Sequence, residues 1–193
     1  MDRIKETTNA DLWILLEKAK EGDRDAFKTV VSLYQQKVFL LAYSFLRDRE
    51  DALDIVQETF MKLYQKFDTF DSEGNFQAWL LQMAKNLSID YYRKHYSRRR
   101  EMEVEKSVDE LDPAAEAGCS EGLTSDLRQA FSRCVQKLGE RQRLVFVMKH
   151  YNGLQYKEIA EILRVSVGTV KSLHFKAVQN MKKLLSPQLG IQP

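Results

Sequence analysis

Apolar residues recur along almost the whole chain at spacings of three and four, and nowhere alternate as a half-buried strand would, so the pattern predicts an all-α fold. A first helix is expected over about Ala10 to Glu21, with Leu12, Leu15, Leu16 and Ala19 on one face and Gly22 as its stop. Asp23 is placed to cap a longer helix carrying the stripe Phe27, Val30, Val31, Tyr34, Val38, Leu41, Ala42 and Phe45. After the polar interval Arg47 to Glu50, a third helix over Asp51 to Phe67 turns Ala52, Ile55, Val56, Phe60, Leu63 and Phe67 inward. The small polar loop from Asp68 ends at Asn75, which can cap a fourth helix of about 25 residues with Phe76, Trp79, Leu80, Met83, Ala84 and Leu87 as its buried stripe. Further on, Leu127, Phe131, Val135 and Leu138 define a helix that Gly139 closes, and Leu144, Val147, Met148 and Tyr151 another that ends at Asn152 and Gly153.

The last periodic stretch, Tyr156 to Leu185, reads as a helix-turn-helix. Ile159, Ala160 and Leu163 form the apolar edge of a short helix, a break follows at Arg164 to Ser166, and Ser166 can cap the next helix. In that helix Val170, Leu173, His174, Ala177, Val178, Met181, Leu184 and Leu185 share the side expected to face a core. The opposite side carries Gly168, Thr169, Lys171, Ser172, Phe175, Lys176 and Gln179, small, basic or hydrogen-bonding groups suited to a DNA groove. An ordinary helix pair with a solvated basic face is the alternative this pattern leaves open.

Two other helices carry a second stripe. Asp51, Asp54, Gln57, Glu58 and Met61 line the outer face of the third, which is either solvated or a partner surface to which a thioether adapts. Gln82, Lys85, Asn86, Ile89, Tyr92, Arg93 and Tyr96 line the fourth, which ends in Arg98, Arg99 and Arg100. Cations interleaved with rings suit single-stranded nucleic acid, and they equally complement the negative end of a helix dipole.

Charge divides the chain more sharply than its net +2 suggests. Residues 1–100 hold 17 basic and 16 acidic side chains, residues 101–122 one and eight, and residues 123–193 twelve and four. The expected organisation is therefore a helical domain over 1–100, an acidic linker over 101–122 and a basic helical domain over 123–193. Charges run through the N-terminal stretch and no apolar run reaches about 18 residues, so neither export nor membrane insertion is expected, and the chain is read as cytoplasmic. Cys119 and Cys134 lack close spacing, and His95, His150 and His174 are scattered, so reduced thiols, no metal and no cofactor are expected. A nuclease using Asp51, Asp54 and Glu58 would need converging carboxylates from other elements, and no second cluster is present in the sequence.

Three ordered segments resemble the extracytoplasmic-function group of bacterial RNA polymerase sigma factors. DALDIVQETFMKLYQKF is similar to the group's core-binding helix, FQAWLLQMAKNLSIDYYRK to its promoter-melting and minus-ten helix, and LGERQRLVFVMKHYNGLQYKEIAEILRVSVGTVKS to its minus-thirty-five reader. Together the matches cover about Asp23 to Arg99 and Thr124 to Leu185. The resemblance implies a non-enzymatic initiation factor, monomeric when free, that binds core RNA polymerase through the clamp helices of its largest subunits and the flap, recognises promoter DNA, and is held by an anti-sigma factor that can be at the membrane. It gives Asp51, Asp54, Gln57, Glu58 and Met61 to the polymerase interface. Asp71, Ser72, Asn75, Asn86, Arg93 and Lys94 go to minus-ten DNA, and Thr169, Lys171, Ser172, Phe175 and Lys176 to minus-thirty-five DNA. Trp79 and Phe76 fall where the family uses aromatics in melting, while their place on the apolar stripe points to the core. The linker is expected to thread the RNA exit channel.

Where the group commonly has glutamate this chain has Leu53, and where it commonly has arginine the chain has Leu173, Lys176 and Val178. Lysine lacks the bidentate guanidinium fork, so altered minus-thirty-five recognition is expected, and Leu173 is expected to be buried. The competing reading is a stand-alone helix-turn-helix regulator, which would normally bind a palindrome as a symmetric dimer.

Overall fold

The structure, a computed structural model, describes residues 9–70, 74–96 and 125–189. The described residues form eight α-helices and two short 3-10 turns, with no strand among them. Helices α1 (Asn9–Lys20), α2 (Arg24–Leu46), α3 (Arg49–Lys66) and α4 (Phe76–Tyr96) make an N-terminal unit in which α2 packs against the other three. Helices α5 (Ser125–Lys137), α6 (Glu140–His150), α7 (Tyr156–Leu163) and α8 (Val167–Leu185) make a C-terminal unit organised around α8.

The helix boundaries have local causes. Asp23 caps α2 by accepting from the backbone N–H groups of Asp25 and Ala26 at 2.9 and 3.1 Å, which holds its carboxyl below the usual range. Asp48 caps α3 by accepting from Asp51 N–H at 3.1 Å, which starts that helix two residues before the sequence-based boundary. Arg47, which joins α2 to α3, takes the left-handed conformation at φ 57°. Gly139 precedes α6 as its N-cap, so this glycine opens a helix as well as closing one. Cys119, the acidic linker, the side chain of Leu127 and Arg98 to Arg100 lie outside what is described.

The expected stripes are buried or packed half-buried against the core, and burial extends further. On α2 the consecutive residues Val38, Phe39, Leu40, Leu41, Ala42, Tyr43 and Ser44 are all buried, and on α6 so is the whole run from Leu144 to Met148. A helix apolar all round must be covered all round. The cover comes from the other unit: α2 packs on α6, and α4 packs on α7. One core cluster runs from Leu16, Val30, Leu41 and Leu80 through Val145 and Met148 to Ile159 and Val170 without a break. A second joins Phe39, Tyr43 and Ile55 to Val135, Phe146 and Met181. Each large side chain so buried contributes about 1.5–3 kcal/mol before entropy is counted.

Polar groups stitch the same seam, mainly to carbonyls near helix C-termini. Arg143 of α6, 2% exposed, donates to Ser44 O of α2 and Leu138 O, both at 2.9 Å, and more weakly to Gln136 O at 3.5 Å. Arg47 reaches Gln136 O at 3.3 Å from the N-terminal unit. Burial, and then the charge of Arg47, bring the Arg143 guanidinium down to about 10. Lys85 of α4, 6% exposed, donates to Ile162 O near the end of α7 at 2.8 Å. Carbonyls at a helix C-terminus are where cations are best received, so these contacts complement the helix dipoles. Gln77 Nε2 donates to Asn152 O at 2.6 Å, Asn152 Nδ2 donates to Lys37 O at 3.0 Å, and Lys37 Nζ donates to Gln77 Oε1. Asn152 Oδ1 is buried without a partner, a defect that typically costs about 1–3 kcal/mol.

Candidate nucleic-acid interface

The helix-turn-helix forms as the pattern requires. Gln155 N–H donates to Glu158 Oε2 at 2.6 Å at the start of α7. Arg164 ends it in the left-handed conformation at φ 55°, where Val165 N–H returns to Ala160 O at 3.0 Å. Ser166 Oγ then accepts from Thr169 N–H at 3.0 Å and starts α8. Ile159, Ala160, Val170, Ala177 and Met181 are buried, joined by Ile162, which the three-residue edge had omitted. Leu173 packs partly buried against the core, as expected. Val178 departs from the expected inward face: it is 40% exposed, because at about 100° per residue it lies on the flank of the stripe that Val170, Ala177 and Met181 centre.

The outward face of α8 is turned away from the rest of the protein. Thr169, Lys171, Ser172, Phe175 and Lys176 are all exposed, Phe175 at 64%. The Thr169 hydroxyl lies 2.9 Å from Ser166 Oγ, so it shares in the cap. A Cβ at Gly168 would meet only Ser166 Oγ at 3.7 Å, an ordinary contact, so internal packing does not require glycine there.

Behind this face lies a hydrogen-bonded chain that the sequence did not disclose. Tyr156 Oη is 3.1 Å from His174 Nδ1, and His174 Nε2 is 2.8 Å from His150 Nε2. If the phenol donates to Nδ1, His174 is the Nε2–H tautomer and donates to a neutral His150. His150 also packs against Phe146 with ring centroids 4.5 Å apart, and Lys149 sits 5.0 Å over the Tyr156 ring. Burial first, and neighbouring positive charge second, push both imidazoles below their ordinary value. The chain pins α8 to α6 and α7.

On α3 the expected stripe divides. Asp54, Gln57, Glu58 and Met61 are exposed, Met61 at 64%, and Tyr64 stands equally exposed one turn further on. Glu58 pairs with Lys62 at 3.2 Å, a solvated contact of small energetic weight. Leu53 is 40% exposed on the same flank. Asp51 is half-buried and accepts from Tyr91 Oη at 2.6 Å, pushing that phenol up to about 12 and tying α3 to α4. Tyr64 is the member of this face that the stripe missed, since its spacing from Met61 also fits the inward register.

On α4, Asn86, Arg93 and Lys94 are exposed. Lys85, which shares their stripe in the sequence, is not: its ammonium is buried against α7, with burial and the charge of Arg164 lowering its affinity for a proton. Asn75 caps α4 by accepting from Ala78 N–H at 3.0 Å, while its Nδ2 donates to Glu158 Oε1 of α7. Asp71 and Ser72 lie outside the described residues. Phe76 is 2% exposed and Trp79 half-buried, packed against Phe70 and each other, so both serve the core. Among the described residues no group of three or more metal-ligating side chains converges, and no helix is long and apolar enough to cross a membrane.

This pairing of a four-helix unit with a basic helix-turn-helix unit defines a two-part protein of the sigma-70 class: residues 30–98 match the family model for sigma-70 region 2 and residues 128–181 that for sigma-70 region 4. The chain is 32% identical over 188 residues to the ECF RNA polymerase sigma factor SigW of Bacillus subtilis, covering 88% of this chain and 94% of that protein. The chain belongs to the ECF RNA polymerase sigma factors. Its fold is similar to the sigma factor RpoE of Bartonella quintana solved with the anti-sigma factor NepR, with a TM-score of 0.69, 26% identity, and coverage of 83% of this chain and 96% of that one. It is also similar to CnrH solved with the cytosolic domain of CnrY, with a TM-score of 0.62, 26% identity, and coverage of 91% and 97%.

Proposed function

We propose that this ECF sigma factor works without catalysis of its own, using three separate faces to bring core RNA polymerase to a two-part promoter and to hold the melted strand. The observation that carries this reading is the exposure of three chemically distinct faces on one all-helical chain. Asp54, Gln57, Glu58 and Met61 of α3 form the polymerase-binding face, with Tyr64 added. Asp51 acts there as a brace for Tyr91, positioning α3 on α4, as well as lying at the edge of the interface. The clamp helices of the largest polymerase subunits and the flap are the docking partners.

Asn86, Arg93 and Lys94 on α4, with Asn75 and the sequence Asp71 and Ser72 before it, serve the minus-ten element. Unstacking a base costs a few kcal/mol, which ring stacking and hydrogen bonds to the base edge can offset. Thr169, Lys171, Ser172, Phe175 and Lys176 of α8 read the minus-thirty-five element from the major groove. The domains follow as 1–100 and 123–193 with an acidic linker between, operating in the cytoplasm. An anti-sigma factor is the expected regulator, since the similar RpoE was solved with the anti-sigma factor NepR.

Transcription in vitro with bacterial core polymerase on a genomic fragment library tests this reading. RNA starts that cluster below a shared two-part element only when the protein is added support it; absence of stimulation with cognate, active core defeats it. Asn86→Ala should reduce open-complex formation with core binding intact. Parallel loss of both would mean Asn86 supports the fold or the polymerase face instead.

A further inference from the structure

We infer that the Tyr156–His174–His150 chain positions the recognition helix, and that a second proton on its imidazole pair releases that helix and weakens minus-thirty-five binding; this rests on the minus-thirty-five reading of α8 above. His174 lies between Val170 and Ala177 on the inner side of α8, both of them fully buried. It is next to Phe175 in sequence and one turn from Lys171, so the two faces of the helix are closely joined here. The apolar anchors near the reading end, Val170, Leu173 and Ala177, are small or only partly buried, and the larger Met181 follows a turn later. The polar chain ties this end to α6 and α7 at once, while Asn180 Nδ2 donates to Gln142 Oε1 at 2.8 Å further along. A roll or lift of α8 about His174 therefore displaces the side chains that face the groove.

The imidazoles meet nitrogen to nitrogen. Their Nε2 atoms are 2.8 Å apart and their ring centroids 5.0 Å, so the two nitrogens lie between the rings and the contact has room for one hydrogen. In the neutral pair one ring donates and the other accepts. A first proton can be kept: an imidazolium on either ring still offers one N–H to one lone pair, and Tyr156 Oη turns from donor to acceptor at His174 Nδ1. A second proton cannot. Both Nε2 atoms then carry hydrogen and positive charge face to face, and the contact must part.

The surroundings oppose protonation too. Lys149 of α6 acts on both rings, His174 acts on His150, and Tyr156 of α7 contributes its hydroxyl. Lys171 and Lys176 add further positive charge on the outward face of α8 itself. His150 is exposed, so solvent can deliver the proton while the fold stands. The sign of the effect separates positioning from plain charge. Protonated histidines behind a DNA-binding face would, as charges alone, tighten phosphate contacts as pH falls. Release does the reverse: the positioned form binds fewer protons than the released one, so acidification favours release, with no effect above the ordinary histidine value of about 6.5 and a growing one below it.

Two readouts on the full chain test this. In heteronuclear NMR of the free protein, the backbone amides from Lys171 to Lys176 should shift with the second imidazole step as pH is lowered from about 7.5 to about 5.5. Amides that stay in place across that interval overturn the inference. For holoenzyme on a promoter fragment recovered by the transcription assay, the preference for an intact over a scrambled minus-thirty-five element should fall about tenfold over the same interval. His150→Gln, which keeps a hydrogen-bonding partner for His174 but cannot take the second proton, should flatten that slope. His150→Ala, which cuts the chain, should lower the preference already at neutral pH. A preference that holds or rises on acidification, or the same slope in His150→Gln as in wild type, overturns the inference alone. No preference for the intact element at neutral pH defeats the minus-thirty-five reading, and this inference with it.

Discussion

Helices α4 and α8 both present a basic, polar face opposite an apolar stripe, yet the two faces have different fates. On α8, Lys171, Ser172, Phe175 and Lys176 stand in solvent. On α4, Lys85 is buried on a carbonyl of α7, while Asn86, one residue on, is exposed. A polar stripe thus marks a face that apolar packing does not claim, and a second unit can still cover it when carbonyls at a helix end receive the charge.

The largest effect is expected at Arg143, whose guanidinium bridges the two units. Arg143→Ala would leave Ser44 O and Leu138 O without this donor inside the protein, and we expect a loss of about 3 kcal/mol, read as a lower urea midpoint. The two helix caps sharpen the comparison next. Ser166→Ala should cost about 1 kcal/mol, the usual value of an N-cap. Asn75→Ala should cost more than Ser166→Ala in the same denaturation series, because Asn75 both caps α4 and donates to Glu158 across the seam. Equal losses would mean the cross-seam bond contributes nothing.

A smaller effect separates the units by pH. Because the folded His150 and His174 sit below their ordinary value, the unfolded chain takes up protons first as pH falls. Their contribution is complete above an unfolded value of about 6.5 and is lost progressively as pH drops from there through the folded value. Urea midpoints should therefore fall on acidification, and less steeply in His150→Gln; identical slopes would remove the imidazole pair from the balance. The least effect on stability is expected at Lys171. Lys171→Ala should leave the midpoint unchanged while weakening duplex binding and reducing its salt slope by about one.

Much of this was readable in advance. Asp23, Asn75 and Ser166 are caps because short acceptor side chains precede apolar-periodic runs, and local chemistry of that kind survives any tertiary context. The buried stripes of α2, α3 and α4 follow from periodicity alone. Docking between units was not legible, although the unbroken run VFLLAYSFL on α2 and LVFVM on α6 carried its signal: too much apolar surface for one neighbour to cover. Val178 stands exposed because an i+8 position lies about 80° around the helix from Val170, at the flank rather than the centre of the buried stripe. The His150–His174–Tyr156 chain joins residues 24 and 18 apart in sequence, and nothing in spacing foretells contacts between three helices.

Cys134 lies apart from the faces proposed for DNA and polymerase, yet its position has a practical consequence. The residue is 1% exposed on α5, and burial pushes its thiol up, so in the folded state it is both shielded and protonated. In a Cys119→Ser chain, its alkylation at neutral pH must wait until α5 moves off the core it packs in. The labelling rate is then a clock for the breathing of the core around α5, and comparing that rate with and without promoter DNA would time how firmly the bound helix-turn-helix holds its scaffold together.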